Sequence, residues 1–119
     1  MFYAIFHQNR RHIRQSGFVY LLGDSSTTPC YKIGMTRGAI ENRIKKLQTG
    51  NSEDIRLVDS FRSKNPFFIE SSLHRYFSDK QIINEWYQLS DEDVENFQDL
   101  CRKYENINET LTDNPFFKN

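Results

Sequence analysis

The chain has 119 residues, enough for one domain with one modest core, and its two cysteines, Cys30 and Cys101, lack metal-ligand spacing, which argues against a disulfide scaffold or a zinc site and for a reducing compartment. Its formal net charge of zero is the sum of unequal halves: residues 1–80 carry 13 Lys and Arg against 7 Asp and Glu, and residues 81–119 carry 3 against 9. No apolar run approaches the ~18 residues of a membrane span, and MFYAIFHQNRRHIRQ is apolar first and basic afterwards, the reverse of a signal peptide, so an intracellular protein of cytoplasm or nucleus with no membrane partner is expected.

Residues 1–15 read as a basic N-terminal arm or short helix carrying Arg10, Arg11 and Arg14. GFVYLL at 17–22 is apolar throughout and rich in β-favouring residues, which predicts a buried strand. GDSSTTP is a turn cluster. CYKIGM at 30–35 is a second strand, paired with the first through a loop longer than two residues. Lys32 is anomalous there, because a half-buried lysine is costly unless its charge is used.

In TRGAIENRIKKLQTGN, Ile40, Ile44 and Leu47 recur at helical spacing, Gly50 is a stop, and Arg43 lies at the border of the apolar stripe. IRLVDSF at 55–61 alternates Ile55, Leu57, Asp59 and Phe61 with Arg56, Val58 and Ser60, which predicts a third strand. Asn65 is placed to cap a helix with Pro66 at its first position. Its stripe is Ile69, Leu73, Tyr76 and Phe77, and Glu70 and His74 share another face. EWYQL at 85–89 is a short strand or extended segment. Ser90 and Asp93 form a capping-box pattern before a helix that buries Val94, Phe97, Leu100, Cys101 and Tyr104. The predicted organisation is an arm at 1–15, a domain at 16–104 and a loose C-terminal tail at 105–119. NPFF occurs at 65–68 and again at 114–117, too short a match to make a repeat.

The ordered set GFVYLL, YKIG, LQTGN, Glu70 with His74 and Phe77, and EWY resembles the GIY-YIG nuclease superfamily, in particular its small branch from phage and bacterial reading frames and a meiotically up-regulated gene family. The resemblance covers about residues 16–90. It implies an α+β domain: a small, mostly antiparallel three-stranded sheet flanked by helices. It aligns Tyr20 with the first motif's tyrosine, with Phe18 where the motif has glycine. It puts Lys32 where many members have a second tyrosine, Arg43 on the helix arginine and Glu70 on the metal-binding glutamate. His74 matches the small branch alone. The histidine or tyrosine that many members carry shortly after the arginine has no clear counterpart. Asn84 lies near the position of a late asparagine but is left unassigned.

The resemblance implies a metal-dependent endonuclease of weak intrinsic sequence specificity acting on DNA, or on RNA, cellular or phage-encoded. Hydrolysis of a phosphodiester needs a deprotonated water and stabilisation of charge on the phosphoryl oxygens. Tyr20 would be general base with Lys32 polarising it or holding the water, and those two roles can be exchanged. Arg43 would grip the phosphate through its planar fork. Glu70 would bind one Mg²⁺ or Mn²⁺ acting as Lewis acid. Each residue also has an ordinary reading: Tyr20 as a strand aromatic, Lys32 as a snorkelling edge lysine, Glu70 and His74 as a simple i,i+4 pair. A non-catalytic DNA-binding or protein-interaction module on the same fold is therefore the alternative.

Overall fold

Gly17–Asp24 (β1) and Tyr31–Thr36 (β2) form an antiparallel hairpin in which Tyr20 stands opposite Gly34 and Leu22 opposite Lys32. Asp24 organises the connecting loop: its Oδ1 accepts from the Ser26 amide at 3.2 Å, the Ser26 hydroxyl at 2.8 Å and the Cys30 amide at 3.1 Å. The computed structural model describes residues 16–113, so the predicted arm at 1–15 and the second NPFF at 114–117 lie outside the described residues.

Ile55–Ser63 (β3) pairs antiparallel with the other edge of β1. The sheet order is β3-β1-β2-β5-β4, with Gln81–Ile83 (β4) and Trp86–Tyr87 (β5) as a short ribbon beyond β2. The fold is thus the expected α+β class with an antiparallel sheet flanked by helices. The three long strands form its body, and the ribbon widens it to five strands.

Strand alternation divides the core between the two faces of the sheet. Val19, Leu21, Tyr31 and Ile33 face Pro66–Tyr76 (α2) and a later helix, Phe97–Asp113 (α4), and pack with Ile69, Leu73, Phe77, Phe97 and Cys101. Tyr20, Leu22 and Ile55 face Ile40–Thr49 (α1) and pack with its Ile44 and Leu47 and with Trp86. The helix starts follow the sequence: Asn65 Oδ1 accepts from the Phe68 amide, with Pro66 in the first turn. Ser90 and Asp93 cap one another reciprocally before Asp91–Glu95 (α3), which runs into α4 after an irregular step at Asn96.

Three expectations change. The pairing of β1 with β3 slips between Leu21 and Leu22, so Leu21 stands opposite Asp59 and Leu22 opposite Leu57, with Val58 as the extra residue of a bulge. The bulge breaks the predicted alternation: Val58 packs on the core and Leu57 is 44% exposed. In α2, Ile69, Leu73 and Phe77 are buried, but Tyr76 is 53% exposed and packs edge-on against Phe77. The segment read as a loose tail at 105–119 is helical as far as Asp113, and it carries Ile107 and Leu111 at the spacing of Leu100 and Tyr104 with both side chains exposed.

Candidate functional site

Tyr20 lies on β1 with its side chain on the α1 face. Its ring crosses directly over Gly34: a Cβ built there would lie 2.4 Å from the Tyr20 hydroxyl oxygen and 2.6 Å from Cζ. The glycine of YKIG is therefore the surface on which the tyrosine rests. The hydroxyl is met from above by α1, whose Arg43 Nε donates to it at 3.2 Å. The spacing of the α1 stripe explains this reach: Arg43 precedes Ile44, which packs against the same small cluster as Tyr20.

Burial pushes the Tyr20 phenol above its ordinary range; the Arg43 guanidinium pulls it down, and the Glu85 and Glu70 carboxylates push it further up. Burial and the two carboxylates prevail, so Tyr20 rests as a neutral phenol beside the cation. Arg43 is held more firmly protonated, first by its bond to Tyr20 and then by the Tyr20, Glu85 and Glu70 charges.

Lys32 alternates onto the face of Tyr20 and Gly34. Its charge is taken up by Glu85 rather than by Tyr20: Nζ lies 3.0 Å from Glu85 Oε1. It also lies 5.8 Å from the centre of the Trp86 ring, its cross-strand partner.

Glu70 and His74 lie one turn apart on α2. His74 Nε2 is 3.7 Å from Glu70 Oε2, too long for a direct hydrogen bond but within reach of charge. On its other side, His74 Nδ1 shares a hydrogen bond with the buried Tyr87 hydroxyl. Burial pushes the Tyr87 phenol up, and Glu85 and Glu70 add to this. Glu70, His74, Asn84, Glu85 and Tyr87 line one open groove of about 350 Å³.

Two local constellations result, Tyr20 with Arg43 and Glu70 with His74 and Tyr87, joined by Lys32 and Glu85. The two carboxylates connect them, since both act on Tyr20 and Arg43 on one side and on Tyr87 on the other. The short β5 permits this: it pairs with Tyr31 and Lys32 of β2 and leaves the following half of that strand uncovered on this side. Among the described residues, no three His, Cys, Asp or Glu side chains gather closely enough to cage a metal ion.

Glu85 and Tyr87 are the site residues that sequence reasoning missed. Both belong to the EWY segment, read from the sequence as a short strand or extended segment with no site residue in it. Glu85 meets Lys32 across 53 positions of sequence, a separation at which no local pattern signals contact. Asn84, left unassigned by the sequence, is the one non-glycine with positive φ (52°) among the described residues and makes the turn into β5.

A search of curated proteins and of solved structures gives no match. The T5orf172 domain matches residues 17–102, a span holding every strand and every site residue named above. On that match, the chain belongs to the T5orf172 domain family, a phage-associated family of the GIY-YIG-like group.

Proposed function

We propose that the protein is an endonuclease that hydrolyses DNA phosphodiester bonds where Tyr20, Arg43 and Lys32 adjoin the groove lined by Glu70 and Glu85. The observation that carries this reading is the contact of the Tyr20 hydroxyl with Arg43, within reach of the Glu70 and Glu85 charges beside an open groove. Arg43 has several N–H donors, and Nε is engaged with Tyr20. The terminal nitrogens of the same fork would take the phosphoryl oxygens. Tyr20 would hold the attacking water through its hydroxyl and, once its own proton has passed to solvent in the substrate complex, would take the water's proton as the phenolate, with Lys32 as the neighbouring cation. The resting phenol is a poor base, so its activation belongs to the complex with substrate and not to the free protein.

The donor chemistry fits a hard divalent ion, Mg²⁺ or Mn²⁺, held through the Glu70 carboxylate with water and substrate oxygens completing its shell. When bound, such an ion supplies Lewis-acid stabilisation of charge on the phosphoryl and leaving oxygens. A single protein carboxylate suits an ion shared with its substrate better than one held in a protein cage.

Purified protein is incubated with supercoiled plasmid and Mg²⁺ or Mn²⁺, beside Glu70→Gln. Wild type is expected to nick the plasmid, and the variant to be slower by about a hundredfold or more, the scale of losing one electrostatic element of such a site. DNA binding by both proteins without nicking by either overturns the catalytic reading. That result leaves a nucleic-acid-binding module, a reading favoured by the neutral phenol and by the pairing of Lys32 with Glu85.

A further inference from the structure

We infer that Glu85 is a positioning residue for Lys32: it clamps the ammonium at the rim of the candidate site, and its contribution to the reaction runs through that lysine. The inference rests on the endonuclease reading for its kinetic part and on geometry alone for the clamp.

Lys32 is held by two consecutive residues, Glu85 at the end of the turn and Trp86 at the start of β5. The Glu85 carboxylate accepts from its ammonium at 3.0 Å, and the Trp86 ring lies beneath at 5.8 Å. Glu85 is itself fixed to β2 by its main chain, because the Ile33 amide donates to the Glu85 carbonyl at 3.3 Å. The residue before it, Asn84, adopts φ 52° in the turn from β4, and Gln81 Nε2 donates to the Asn84 carbonyl. The turn, the strand pairing and the ion pair together define where the carboxylate stands.

A lysine stem has many rotamers, and an unheld ammonium samples them all. The chain applies an unusual turn and a cross-strand pair to remove that freedom at one lysine. Stability does not account for the arrangement. The Lys32 side chain is 13% exposed but that of Glu85 is 47% exposed, and half-solvated pairs contribute little to folding. The lysine end of the pair faces the candidate site, on the face that also carries Tyr20 and Gly34. Holding the ammonium there gives it one orientation toward an incoming phosphate oxygen or attacking water.

The test uses the full chain with Glu85→Ala, Lys32→Ala and the double variant. In NMR spectra of lysine ammonium groups, a slowly exchanging Lys32 signal, assigned by its loss in Lys32→Ala, is expected in wild type and absent in Glu85→Ala. The melting temperature of Glu85→Ala is expected to stay within a few degrees of wild type. In plasmid nicking, Glu85→Ala is expected to lower kcat about tenfold with KM nearly unchanged. The double variant is expected to be no slower than Lys32→Ala alone, as for a residue acting through its partner. Persistence of the ammonium signal in Glu85→Ala, or a double variant slower by the product of the single effects, overturns the inference. A wild type that does not nick defeats the endonuclease reading, and the ammonium signal still decides the clamp.

Discussion

Gly34 shows how one missing side chain shapes the candidate site. The Tyr20 side chain occupies the space where a Cβ would stand, with the hydroxyl Oη at 2.4 Å and the ring carbons Cζ and Cε1 at 2.6 and 2.8 Å from it. Replacing Gly34 with alanine must push the ring off the sheet and away from Arg43. We expect Gly34→Ala to lose about 1–3 kcal/mol of stability, as overpacked cores do, measured by urea unfolding. Tyr20→Phe should not relieve it, because ring carbons clash as well as the oxygen. In Tyr20→Ala, by contrast, adding Gly34→Ala should have almost no further effect. A full additive loss in that double variant would show that the ring is not what Gly34 accommodates. Lys32 teaches a complementary lesson at the same scale. The sequence marks it as anomalous by its strand context, but its partner is a carboxylate 53 positions away, so the anomaly was legible and its resolution was not.

At the scale of elements, what could be read from the sequence was what local chemistry dictates. Asn65 with Pro66, and Ser90 with Asp93, announce helix starts through groups one turn apart, and both caps form. The bulge at Val58 was not legible, since it depends on how β3 meets β1, and the residues themselves still alternate. The continuation of α4 to Asp113 was not legible, because Ile107 and Leu111 stand alone in a polar context and remain exposed. Of the candidate site, Tyr20, Arg43 and Glu70 were legible because each stands in a motif. Glu85 and Tyr87 were not, because a turn residue and a two-residue strand carry no periodicity.

The caps make a prediction with a definite sign. Burial would push the Asp93 carboxyl up, but the Lys80 ammonium at 2.5 Å and the Ser90 amide and hydroxyl outweigh it and hold it below its ordinary value. A carboxyl depressed in the folded state contributes stability above its unfolded pKa, about 3.9, and loses it as pH falls through the folded value. Thermal stability should therefore fall as pH drops below about 4, and Asp93→Asn should flatten that fall while lowering stability at pH 7. An unchanged acid limb in Asp93→Asn would remove Asp93 from the account. Ser90→Ala should cost about 1 kcal/mol at pH 7, the usual worth of an N-cap, and less once Asp93 is protonated.

For the whole molecule, Cys101 offers a gauge of cooperativity. It lies on α4, fully buried in the core against the sheet, and burial, helped by Asp59 and Glu105, pushes its thiol up to about 12. Cys30 is partly exposed in the hairpin loop. At pH 8 a thiol reagent should modify Cys30 steadily and leave Cys101 untouched until urea unfolds the chain. Labelling of Cys101 well before loss of the circular dichroism signal would mean that α4 detaches as a separate unit.

The position of β5 beside β2 also bears on biosynthesis. Tyr20, Lys32, Arg43 and Glu70 are all synthesised before the Glu85–Tyr87 segment, yet that segment supplies the carboxylate and the ring against which the lysine is held. The first hairpin and its helices can mature on a nascent chain, whereas the groove gains its far wall only when the late ribbon zips alongside. Whatever the groove acts upon, a nascent chain that has not yet released Glu85–Tyr87 lacks this wall of the cleft and the carboxylate that holds Lys32.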